Sequence, residues 1–154
     1  MPFEVIEEQE PSPSKEVTSR EERLEGPDRL LEGQRQKFEA EVEHAKSLIA
    51  RPEKDIDERL YSEETLDRAV AFVKRHIERV WRSCGTNAPT PTIGPGPDES
   101  VDLYWKQSSW KLLVNIPADK DALATFYGDD YGRQRTKGSI DPSELSNTIV
   151  AWLM

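Results

Sequence analysis

Between Thr86 and Pro97 the chain carries four prolines and two glycines in twelve residues. That density excludes helix and central strand, because every proline lacks the backbone N–H that both require. The segment also divides the chain by period. Before it, apolar residues recur every three or four positions; after it they alternate. Residues 86–99 are therefore expected to form an extended, polyproline-like connector, linking the two parts or lying against the second.

The first part reads as a helical hairpin over residues 27–85. Pro27 suits a first helical position, and Leu31, Phe38, Val42, Ala45 and Ile49 follow as one apolar stripe, with Glu39, Glu41 and Glu43 placed on the surface. Pro52 ends this helix, since the residue before a proline is driven out of the helical region. In the second helix Ser62 is the cap, Glu63 and Glu64 occupy the positive end of the dipole, and Leu66, Val70, Val73, Ile77 and Val80 form the buried face. The stop falls near Cys84-Gly85.

After the connector, Val101, Leu103 and Trp105 alternate with Asp102, Tyr104 and Lys106, and Leu112, Val114 and Ile116 alternate with Lys111, Leu113 and Asn115. These are half-buried strands joined by the Gln107-Ser108-Ser109 turn. A third strand surrounds Ala124 and Phe126, and a weaker fourth spans Arg135–Ile140. Asp141-Pro142-Ser143-Glu144 reads as the capped start of a C-terminal helix whose face is Leu145, Ile149, Trp152 and Leu153. The fold class is α+β: an antiparallel meander of three or four strands over residues 100–154, backed by that helix.

Charge is unevenly placed. The 21 Lys and Arg against 30 Asp and Glu give −9, and residues 1–60 alone hold 17 acidic and 10 basic side chains. Residues 1–26 read as a disordered acidic tail, since their apolar residues are too scattered to build a core. Within it Phe3-Glu4-Val5-Ile6 alternates, a pattern that can add a strand to a sheet edge in this molecule or a partner. An acidic chain argues against nucleic acid as a direct ligand. No run approaches the ~20 apolar residues of a membrane span, and the N-terminus lacks a secretory pattern, so a cytoplasmic location is expected.

Reactive groups are sparse. Cys84 is the single cysteine, so a disulfide within the chain and a Cys/His zinc pattern are both excluded. His76 precedes it by eight residues, about 12 Å along a helix, beyond the reach of a nucleophile–base pair. His44 and His76 are the two histidines and read as surface or hairpin-interface residues. Loop carboxylates (Asp119, Asp121, Asp129 and Asp130) leave open a small metal-dependent hydrolase using Asp129, Asp130 and His76, but hairpin loops emerge at opposite ends of a sheet and disfavour convergence. Arg133, Arg135 and Lys137, beside Tyr127 and Tyr131, carry a second alternative, contact with nucleic acid. Phosphate-binding glycine loops are absent, and no cofactor is expected.

Large aromatics remain. If Trp105 faces inward, Tyr104 faces outward, and Trp110 borders a turn. With Tyr127, Tyr131, Phe3 and Ile6 these are the candidate partner-binding residues. Pro89, Thr90, Pro91, Pro97, Asp98, Val101, Leu103 and Trp105, then Leu112, Val114 and Ile116, resemble a loose group of small uncharacterised bacterial proteins, over about residues 89–130. Those proteins carry a proline-rich lead-in, a Pro-Asp/Glu-Gly turn and an aliphatic-x-Leu-x-Trp strand. This chain differs at Glu99, where the group tends to have glycine, and at Tyr104, where an acidic residue is common. The resemblance implies a small bacterial or phage accessory protein and no activity. Taken together, a non-enzymatic protein–protein interaction module is expected: an accessory, immunity or antitoxin-like subunit docking on a larger, cationic protein, with self-association as an alternative.

Overall fold

The computed structural model describes residues 32–49 and 60–154. The tail over 1–26, with Phe3 and Ile6, the Pro27 helix start and the Pro52 helix stop lie outside the described residues.

Helix α1 covers residues 32–49 and buries Phe38 and Ala45 on the expected stripe. Helix α2, Glu63–Cys84, starts where Ser62 accepts the Thr65 N–H at 3.1 Å. It stops at Gly85, whose φ of 68° is a left-handed conformation open to a residue without Cβ, and whose N–H returns to the Trp81 carbonyl. Leu66, Ala69, Phe72, Val73, Ile77 and Val80 line its buried face. Tyr61, just before the cap, is buried and donates to the Ala45 carbonyl at 2.8 Å, tying α2 to α1.

Among the described residues the sheet has five antiparallel strands in chain order: β1 Thr92–Pro95, β2 Val101–Lys106, β3 Lys111–Ile116, β4 Ala124–Asp129 and β5 Arg135–Ile140. Three or four were expected. The extra strand is β1, drawn from the proline-rich segment. Its one proline, Pro95, is tolerated because β1 is an edge strand, hydrogen-bonded on one side to β2, with Ile93 opposite Leu103. The outer side is closed by α1: Glu41, expected on the surface, accepts the Ile93 N–H at 2.9 Å. Between β1 and β2 a 3-10 turn, Pro97–Glu99, places Glu99 at φ 63°. That is a glycine-favouring conformation.

The C-terminal helix α3 is Asn147–Leu153, shorter than expected. Its cap is Ser146, which accepts the Ile149 N–H, and not Asp141, whose carboxylate closes a turn with the Ser143 N–H and hydroxyl. Leu145 accordingly precedes the helix. Helix α2 packs on β2, β3 and α3. Val101, Leu103, Trp105, Leu112, Val114, Ile116, Ala124 and Ile149 meet its apolar face in one core. His76 sits inside that core, fully buried, rather than at a surface or hairpin interface.

Candidate interaction surface

Residues opposed in an antiparallel pair share a face. The register therefore aligns Ile93, Leu103, Val114, Phe126 and Gly138 on the core side, and Thr92, Tyr104, Leu113, Tyr127 and Lys137 on the other. Tyr104, Leu113 and Tyr127 are each half-buried. They stand side by side on three adjacent strands, about 10 Å from first to last at ordinary strand spacing. Helix α2 and the Trp152 ring of α3 lie on the opposite, Leu103-bearing side.

Two polar rows flank this line. Asp102, Asn115, Thr125 and Ser139 form one; Lys106, Lys111, Asp129 and Arg135 form the other. Both carboxylates are engaged within the molecule. Asp102 accepts from Asn115 at 2.8 Å, and the same amide reaches Ser100 at 2.7 Å. Asp129 accepts the Tyr131 N–H at 2.8 Å and stands 4.0 Å from the Arg135 guanidinium. Lys106, Lys111 and Lys137 pair with no described carboxylate. The face therefore combines an aromatic line with a net positive charge. At its β5 end, Leu113, Tyr127, Lys137 and Ser139 border a depression of about 340 Å³.

A second surface lies where the β2–β3 and β4–β5 turns meet α3. Trp110, Trp152, Arg133, Asp130, Asn147 and Thr148 line an open groove of about 790 Å³. The two indoles approach with ring centroids 6.2 Å apart at 53°. Trp152, on the expected apolar stripe of the last helix, is half-buried, and its ring rests on Gly128, where a Cβ would come within 2.6 Å of it. Spacing alone could not show this, because an apolar stripe has a rim as well as a centre.

The candidate partner residues are thus divided. Tyr104 and Tyr127 share the sheet face with Leu113. Trp110 lies in the groove with Arg133. Tyr131 is exposed at the β4–β5 turn, with a positive φ of 63°, and its hydroxyl donates to the Gln107 carbonyl at 3.3 Å. Of the basic stretch, Arg133 stands 3.8 Å from Asp130 and Arg135 faces Asp129, so two of its three cations have an acidic neighbour. Lys137 belongs to the sheet face.

Of the residues named for a hydrolase, His76 lies in the core and Asp129 and Asp130 at the end of β4 and its turn. Both nitrogens of His76 are engaged, Nδ1 with the Phe72 carbonyl at 2.8 Å and Nε2 with the Ser146 N–H at 2.9 Å. Asp129, expected in a loop, ends β4 and is buried, while Asp130 holds the Arg133 and Gln134 amides. Among the described residues, no three His, Cys, Asp or Glu side chains converge as metal ligands would. Cys84 is exposed, with Sγ 2.9 Å from the Thr86 hydroxyl and 3.3 Å from the Val80 carbonyl. Among the described residues, no helix is long and apolar enough to cross a membrane. No protein-family model, curated protein or solved structure matches this chain.

Proposed function

We propose that this protein is a non-enzymatic interaction module, an accessory, immunity or antitoxin-like subunit of a bacterial system, that docks in the cytoplasm on another protein through the sheet face opposite α2. One observation carries the reading: Tyr104, Leu113 and Tyr127 are brought into a single row by the register of three strands, on the side away from the core. Aromatic side chains presented on a rigid sheet bury large area at low entropic cost, which is what binding anchors require. A larger, cationic partner is the complement of the chain's overall −9. That complement attaches to residues 1–31 and 50–59, which hold −6 of the −9; the sheet face itself selects a segment of the opposite sign.

The test is a photo-crosslinking amino acid placed at Leu113 and, as a control, at Glu78 on the exposed side of α2. In the native host, position 113 is expected to yield a discrete crosslinked species that Tyr104→Glu removes, and position 78 none. Equal crosslinking from both positions, or none from 113, refutes the reading.

A further inference from the structure

Helices α1, α2 and α3 occupy the core side and the β1 margin, while β5 is hydrogen-bonded to β4 alone among the described residues. An edge strand offers the N–H and C=O of every second residue outward, a template for another strand. Arg135, Lys137, Gly138 and Ser139 along it are exposed. Arg135 and Lys137 point to the Tyr127 side, whereas Thr136, Gly138 and Ile140 point to the core side, beside the partly buried Phe126.

We infer that the β5 margin binds an extended acidic segment of a partner protein by strand addition, with carboxylates alternating with aliphatic residues. The inference rests on the interaction-module reading and names what its surface takes. In an added strand, residues facing the Tyr127 side stand across from Arg135 and Lys137, at ~5 Å between Cβ atoms, and opposite charges there are mutually stabilising. Residues facing the core side fall beside Gly138, against which the ring of the partly buried Phe126 rests, so an aliphatic group there finds apolar contact. Lys111 and Lys106, two and three strands further in, extend the same positive field. A second copy of β5 is disfavoured by the same rule, because antiparallel self-pairing sets Arg135 and Lys137 against their own kind. The margin is thus closed to its own copies and complementary to acidic ones.

The probe is a synthetic peptide of alternating Glu and Val, titrated into the full chain by fluorescence anisotropy. Saturable binding is expected, weakened roughly tenfold by Lys137→Glu and left unchanged by Lys74→Glu on the exposed side of α2. Two peptides N-methylated on alternate residues separate strand addition from charge attraction. One register of methylation is expected to abolish binding and the other to spare it, since only one set of amides faces β5. Equal binding of both methylated peptides, no binding of the parent peptide, or tighter binding of a short oligothymidylate each overturns the inference. Crosslinking from Leu113 reads the interaction module independently, so a silent peptide with intact crosslinks sinks the strand-addition proposal alone.

Discussion

Replacing His76 by Phe isolates one buried polar contact that joins two helices. The ring is 0% exposed and stacks on Phe72 with centroids 4.2 Å apart. Because the Ser146 amide can only donate, Nε2 must be the acceptor, and Nδ1–H is then the donor to the Phe72 carbonyl. A phenyl ring keeps most of the packing volume but leaves the Ser146 N–H, immediately before α3, without its partner. An orphaned buried donor costs about 1–3 kcal/mol, and that is the expected loss near neutral pH. The same bond sets a pH dependence. Burial, first, holds the imidazole below its ordinary pKa, with Arg75 adding to the effect and the Phe72 carbonyl opposing it. The folded state therefore binds fewer protons than the unfolded chain just below the unfolded pKa of about 6.5. The contribution is present in full above that value and is lost as pH falls from it toward the folded-state pKa, at no more than about 1.4 kcal/mol per pH unit. Urea midpoints measured from about pH 7.5 down to pH 5 should fall more steeply for the natural chain than for His76→Phe, so the two curves converge in acid. Parallel curves would show that His76 is not the neutral hinge between α2 and α3.

Two further substitutions probe the packing of the surfaces. In Gly128→Ala the new Cβ would stand 2.6 and 2.8 Å from two indole carbons of Trp152; overpacking of this kind costs about 1–3 kcal/mol, and a lowered melting temperature with a shifted tryptophan emission maximum checks it. Trp105→Phe removes the Nε1–H bond to the Pro89 carbonyl at 2.7 Å and leaves a gap beneath the connector. A loss of about 2–4 kcal/mol in urea denaturation is expected, with faster hydrogen exchange over β1; an unchanged midpoint would contradict the role of Trp105 in fastening the proline-rich segment.

Periodicity carried most of this fold. Helix α2 has a hydroxyl cap, paired glutamates, an unbroken stripe and a terminal glycine, and all four signals agree on the same ends. Strands β2 and β3 alternate in burial without exception, and Leu113 alone of β3's outward residues is aliphatic, so both strands and the outward side of Tyr104 follow from the period. Strand β1 is the opposite case. Its sequence Thr92-Ile93-Gly94-Pro95 has the composition of a breaker, and its strand character comes from pairing with β2 and from a carboxylate more than fifty residues earlier. Asp141-Pro142 carried a genuine capping pattern that was spent on a turn, because the Ser146 N–H and hydroxyl meet His76 and Ile149 one turn later. Of the surface, the outward side of Tyr104 was legible. The groove beside Trp152 was not, since it depends on a glycine two strands away in sequence that admits the indole.

The sheet's two margins are chemically unlike, and that asymmetry limits how large any assembly built on it becomes. A carboxylate from α1 occupies the first margin, so among the described residues growth by pairing is left to the last strand. A polymer needs each subunit to offer both a donor side and a receiving side. A unit with one terminus already sealed ends the series at the first addition, giving a closed one-to-one pair where an unprotected ribbon would give a fibre.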